Sequence, residues 1–235
     1  MTTTEAKPLA LLIPGLDGTG ETFHRQQALL AGHYRVLAWN YGTGGNYTLH
    51  DLTRRLGEAT EREPPASILV AAESFGGLVA MDYVLTYPAR VRRLILVNTF
   101  PYYRRRAILW LARGLTPLLH FKTARHLKNI IVEIILITEG VKPEDRMRFR
   151  DIVSRIDPAG YRRRLQLIGE TDLRPRLPEV AVPTVLIAAH KDKLVPSVSE
   201  ARLMKSLIPG ARIHEFPGAG HALILSGGIS LLDYA

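Results

Sequence analysis

Residues 68–77 read Ile68-Leu69-Val70-Ala71-Ala72-Glu73-Ser74-Phe75-Gly76-Gly77. Four apolar residues suited to a buried strand pass without a spacer into a serine flanked by small residues. From Gly76 to Tyr87 the pattern is helical and stops at Pro88. A sharp strand-to-helix turn of this kind holds a hydroxyl clear of a sheet, beside backbone N–H groups that can receive negative charge. Glycine is the usual residue two positions before and two after such a serine; here those positions are Ala72 and Gly76. Alanine is the smallest departure from that pattern. Ser74 is therefore the candidate nucleophile.

On both sides of this turn, short apolar runs alternate with longer amphipathic stretches, the signature of parallel strands joined by crossover helices. Upstream, strands are predicted at Leu9–Ile13 and Tyr34–Ala38, with helices at Glu21–Ala31 and Leu49–Glu61. Downstream, strands are predicted at Leu94–Val97, Thr184–Ala188 and Ala211–Phe216, with helices at Ser197–Leu207 and from Ala222 onward. Between the two halves, residues 101–180 contain four helical stretches (Arg105–Leu115, Ala124–Ile137, Glu144–Ser154, Tyr161–Ile168) and no convincing strand. The expected organisation is an α/β core formed by residues 1–100 and 181–235, with residues 101–180 inserted as a helical cap. Its central sheet is mostly parallel and flanked by helices.

The partners a nucleophilic serine needs follow in chain order. Asp192 lies on the loop after the strand Thr184–Ala188, placed to fix and charge-stabilise an imidazole. His221 lies on the glycine-rich loop Pro217-Gly218-Ala219-Gly220, with the reach of a general base. Asn98, at the end of an earlier strand, is not a carboxylate. The turn Pro14-Gly15-Leu16-Asp17-Gly18-Thr19-Gly20 has the glycine content for close backbone approach, so the N–H groups of Leu16 and Phe75 are the candidate oxyanion donors. That turn lacks the spacing and the Lys-Ser/Thr of a phosphate-binding loop. Glu73 is read as a hydrogen-bonding support for the turn. The other seven histidines show no metal-ligand spacing, and no cofactor or metal is expected.

The Pro-Gly-Leu-Asp-Gly-Thr-Gly turn together with Ala-Glu-Ser-Phe resembles bacterial members of the α/β-hydrolase superfamily, over nearly the whole chain outside the cap. The resemblance implies an α/β-hydrolase fold and a triad of Ser74, Asp192 and His221. It further implies esterase-like hydrolysis of carboxylic esters through an acyl-enzyme. Plant acyltransferase relatives with similar motifs make acyl transfer to lipid-like alcohols the alternative.

Composition bounds the rest. The chain has 235 residues, 46% of them hydrophobic, and no cysteine, which excludes disulfides, thiolate metal sites and a cysteine nucleophile. The start of the chain lacks a basic stretch followed by an apolar core, and no run long enough to span a membrane occurs, so a soluble cytoplasmic protein is expected. The net charge of +9 is concentrated. Residues 101–180 hold 17 Lys and Arg against 9 Asp and Glu, and the remainder holds 14 against 13. The runs Arg104-Arg105-Arg106 and Arg162-Arg163-Arg164, with Tyr102, Tyr103, Trp110 and Tyr161 nearby, raise an anionic membrane-surface partner for a chain with a vestigial site. Nucleic acid is not expected as a partner, because no recognised binding module is present. The expected substrate is a small ester with an apolar acyl group; the cap residues Ile130, Ile131, Ile134, Ile135 and Leu136 are read chiefly as packing the cap onto the sheet, with lining of an acyl pocket as the alternative. Oligomeric state is not legible.

Overall fold

The computed structural model describes residues 7–104, 109, 114 and 140–235. Among them, six strands form one sheet: β1 (Leu9–Ile13), β2 (Arg35–Ala38), β3 (Ile68–Glu73), β4 (Val91–Val97), β5 (Thr184–Ala189) and β6 (Arg212–Phe216). Their spatial order is β2-β1-β3-β4-β5-β6, with every pairing parallel. The helices are α1 (His24–Leu30), α2 (Leu49–Ala59), α3 (Gly76–Thr86), α4 (Pro143–Ser154), α5 (Pro158–Glu170) and α6 (Ser197–Leu207).

The strands lack polar alternation because both faces of the sheet are covered. Leu9, Leu11 and Ile13 of β1 face one core with Ile68, Val70 and Ala72, under α2, α3 and α6. Ala10 and Leu12 face the other with Leu69, Ala71, Ile95 and Val97, against α1 and the segment 222–231. Helix α3 is buried on nearly all sides, which is why it reads as apolar throughout rather than as a stripe. Helix α2 starts where Thr48 and Asp51 cap each other: Thr48 Oγ1 accepts from the Asp51 N–H (3.1 Å) and Asp51 Oδ2 accepts from the Thr48 N–H (2.8 Å).

Chain order reverses direction across the sheet between β1 and β3. β1 is followed by β2 on one side, and β3 returns to the other. The loops leaving β1 and β3 therefore diverge and leave a crevice at the carboxyl ends, the usual ligand position in open α/β sheets.

The expected final helix from Ala222 is absent. The chain instead makes two 3-10 turns, Leu223–Leu225 and Leu231–Tyr234. Gly227 and Gly228 interrupt helical propagation, and a side chain captures the backbone groups a helix would have used. Gln26 Nε2 donates to the carbonyls of Ile224 (3.0 Å) and Ile229 (3.2 Å), and Gln26 Oε1 accepts from the Leu231 N–H (2.9 Å). The predicted helix at Glu21 begins as a 3-10 turn, Glu21–Phe23, before α1.

Of the segment 101–180, the helical readings at Arg105–Leu115 and Ala124–Ile137, with the isoleucines at 130–135, lie outside the described residues apart from Leu109 and Gly114. The later two correspond to α4 and α5. The ends of the segment meet, with Leu173 N–H donating to Pro101 O (3.0 Å) and an antiparallel bridge joining Tyr102 to Asp172. Leu165, Ile168, Leu173 and Leu177 join the core that backs β1 and β3 rather than forming one of their own.

Candidate active site

Ser74 stands one residue past β3 with φ of +54°, a left-handed conformation that is uncommon outside glycine. Its surroundings impose that geometry. Ser74 N–H donates to Val97 O (3.0 Å), and Ser74 O accepts from Gly77 N–H (3.0 Å) and from Thr99 Oγ1 (2.6 Å). A methyl group at Gly76 would lie 2.3 Å from Ile13 O and 2.5 Å from Pro14 O, so the turn closes only with glycine there. Ala72 meets no such limit, since its methyl packs in the core beneath α3.

His221 Nε2 lies 3.1 Å from Ser74 Oγ, and His221 Nδ1 lies 2.8 Å from Asp192 Oδ2. A carboxylate only accepts, so Nδ1 carries the proton and Nε2 is free to accept from the serine hydroxyl. Asp192 is held on every side. Oδ1 accepts from the N–H groups of Leu194 and Val195 (both 2.9 Å), and Oδ2 also accepts from Ser197 Oγ at the start of α6. Burial alone would raise the Asp192 pKa. The His221 charge, with hydrogen bonds from His221, Ser197 and Val195, outweighs it and holds the carboxyl below its ordinary value. Burial likewise opposes the charged form of His221, but the Asp192 charge and hydrogen bond, aided by Glu73, leave its pKa above the ordinary histidine value.

The turn expected to supply an oxyanion donor lies against Ser74: a methyl group at Gly15 would lie 3.3 Å from Ser74 Cβ. Asp17 Oδ2 accepts from the Thr19 N–H (2.9 Å) and hydroxyl (2.8 Å), which shapes the turn locally. Tyr41 ties it further, its hydroxyl donating to Pro14 O (2.9 Å) and its N–H to Gly18 O (3.0 Å). Neither Leu16 N–H nor Phe75 N–H donates to an acceptor among the described residues. Among the described residues two backbone donors are thus left over, one on the residue after Ser74 and one on the residue after Gly15, which lies against the Ser74 side chain.

Several contributors carry no signal in the sequence. Asn98 Nδ2 donates to Gly220 O (3.0 Å) and His221 O (2.8 Å), while its Oδ1 accepts from Ala189 N–H (2.9 Å). It fastens the His221 loop to the end of β5. Ser197 and Thr99 act similarly on Asp192 and Ser74. No local pattern marks any of these three, since each is a common polar residue at an element end. Glu73 departs from its expected role: its carboxyl makes no hydrogen bond with a described residue, and burial pushes its pKa up to about 8.

The arginine-rich segment is tied to the core where it is described. Arg155 pairs with Glu21 (2.9 Å), Arg104 with Glu200 (3.2 Å), and Arg163 Nε donates to Tyr47 O (2.6 Å). No helix among the described residues is long and apolar enough to cross a membrane.

The sequence matches the Alpha/beta hydrolase family over residues 10–227. It is 27% identical over 230 residues to "Putative carbamate hydrolase RutD" of Klebsiella pneumoniae (strain 342), covering 92% of this chain and 85% of that protein. Among solved structures it resembles a hydrolase from Pseudomonas aeruginosa PA01, with TM-score 0.77 and 26% identity over 92% of this chain and 83% of that one. The fold also matches the esterase EaEST from Exiguobacterium antarcticum, with TM-score 0.80 and 21% identity over 94% and 87% of the two chains. Sheet order, strained serine turn and sequence match agree: the chain is a hydrolase of the alpha/beta hydrolase family.

Proposed function

We propose that this chain is a serine hydrolase that cleaves carboxylic esters through an acyl-enzyme. The observation that carries the reading is the unbroken relay from Asp192 through His221 to Ser74, with the Leu16 and Phe75 N–H groups lacking an acceptor among the described residues. Ser74 Oγ attacks the ester carbonyl as His221 Nε2 takes its proton. The developing oxyanion is received by the N–H groups of Leu16 and Phe75. Collapse breaks the bond to the alcohol, which leaves with the proton from His221. Water, deprotonated by the same imidazole, then releases the acid and restores Ser74. Asp192 keeps its negative charge throughout and stabilises the imidazolium that forms at each step. Residues 101–180 act as the cap that shapes the acyl pocket.

The test is labelling with a fluorophosphonate probe, followed by turnover of p-nitrophenyl esters of increasing acyl length. Labelling is expected at Ser74 and is expected to vanish in Ser74→Ala. Undiminished ester turnover by that variant would overturn the assignment. A p-nitrophenyl carbamate belongs in the same series, because similarity to the RutD protein over 92% of this chain and 85% of that one favours the carbamate bond as the second candidate. Faster turnover of the carbamate than of every ester would move the reading to that class.

A further inference from the structure

Arg164, on α5, is 1% exposed, the largest side chain buried to that degree among the described residues. A buried guanidinium ordinarily carries a carboxylate partner, because an isolated buried cation is costly. Arg164 makes no ion pair among the described residues. Its Nε donates to Leu16 O (3.1 Å), Nη2 approaches Asp17 O (3.4 Å), and Nη1 donates to Tyr47 Oη (3.2 Å). The guanidinium carbon lies 5.6 Å from the centroid of the Tyr41 ring. The loop leaves space for it only because residue 18 is glycine: a methyl group there would lie 2.7 Å from the guanidinium carbon.

These contacts bracket one N–H group. The Leu16 N–H belongs to the peptide joining residues 15 and 16. The preceding peptide is fixed at its carbonyl by Tyr41 Oη, which donates to Pro14 O (2.9 Å). The following peptide is fixed at its carbonyl by Arg164 Nε. With both neighbours held, the peptide between them has little freedom to rotate its N–H. We infer that Arg164 is a positioning residue for the oxyanion hole, a guanidinium delivered by α5 that locks the Leu16 N–H toward the reacting carbonyl and adds a buried positive charge beside it. The segment that covers the site thereby also completes it.

This inference rests on reading Ser74 as the nucleophile. The experiment compares wild type, Arg164→Lys and Tyr47→Phe, with rates normalised to the fraction of sites a fluorophosphonate labels at completion. Lysine keeps the charge but cannot span both carbonyls and the phenol. Its kcat for a p-nitrophenyl ester is expected to fall about 10- to 100-fold with KM changed less than about 3-fold, since a weakened oxyanion contact is felt only in the transition state. Affinity for a trifluoromethyl ketone, which adds Ser74 to form an oxyanion, is expected to fall by the same factor as kcat/KM. Affinity for the carboxylate product is expected to hold. Tyr47→Phe removes a single oxygen atom and is expected to lose less in the same direction, with an effect that does not add to that of Arg164→Lys. A purely structural arginine would lower the melting temperature and the labelled fraction but leave kcat per labelled site and ketone affinity unchanged, and that result overturns the inference alone. If wild type fails to label at Ser74, the hydrolase reading falls and this inference falls with it.

Discussion

Ser74 and Asn98 stand at equivalent places on neighbouring strands, one step beyond the paired residues Glu73 and Val97. Both take a left-handed backbone, with φ of +54° and +46°. Asparagine adopts that conformation at modest cost, while serine is held in it by its neighbours. The side chains then diverge. Asn98 spends its whole amide on the scaffold, binding Gly220 O, His221 O and Ala189 N–H. Among the described residues, the Ser74 hydroxyl has a single partner, His221. One bent strand end thus fastens the scaffold of the candidate site and the next presents the hydroxyl proposed to react. The former also fits the proposal of an acid elsewhere: a carboxylate at position 98 would face two carbonyl oxygens.

The comparison breaks most severely in Ser74→Ala, which is expected to lower kcat by about 10⁴-fold or more while the melting temperature holds or rises. Gly76→Ala attacks the geometry instead. Its methyl would overlap the carbonyls of Ile13 and Pro14, and a stability loss of about 3 kcal/mol, read by urea titration, is expected together with loss of labelling at Ser74. Asn98→Ala strips the scaffold end of its three hydrogen bonds. A stability loss of about 2 kcal/mol is expected, with kcat falling about 10-fold as the His221 loop loosens. Asn98→Asp is expected to be no better than alanine in kcat, and a milder effect would contradict the carbonyl-facing argument.

Glu73→Gln makes the two strand ends more alike by removing the ionisable group. Because the folded-state pKa of Glu73 is raised to about 8, its contribution to stability is full below the unfolded value near 4.5 and is lost as pH rises toward 8. The variant lacks that loss. Its melting temperature relative to wild type is expected to be several degrees more favourable at pH 9 than at pH 5, and a pH-independent difference would refute buried ionisation. The smallest effect concerns His221, whose raised pKa places the acid limb of kcat/KM above pH 6.5 in wild type, since the neutral imidazole is the base. Glu73→Gln is expected to move that limb to slightly lower pH, by less than about half a unit, because the carboxyl it replaces is mostly protonated there.

Features written locally are legible in the sequence. The apolar run into Ser74 and Gly76 needs no tertiary knowledge, and the loops carrying Asp192 and His221 follow strands whose hydrophobic runs are plain. Asn98 and Arg164 are different. In the sequence, Asn98 stands out only as a residue that is not a carboxylate, and Arg164 reads as one member of the basic run Arg162-Arg163-Arg164. Their roles depend on carbonyls contributed by residues 122 or 123 and 147 or 148 positions away. No periodicity or motif encodes such a meeting. The absent final helix has partly the same origin: Gly227 and Gly228 are visible in the sequence, but the claim of the distant Gln26 side chain on the carbonyls of Ile224 and Ile229 is not.

That grip of Gln26 bears on how the protein reaches its native state. It joins residues 198 to 205 positions apart, and the segment it holds follows directly on His221. Contacts so distant along the chain carry a large loop-closure cost and belong to the slow part of folding. Docking of this segment by Gln26 is therefore expected to accompany the late arrival of His221 beside Ser74. Regained reactivity at Ser74 during refolding should thus lag the return of helical signal, so that labelling marks the last step of assembly and not the first.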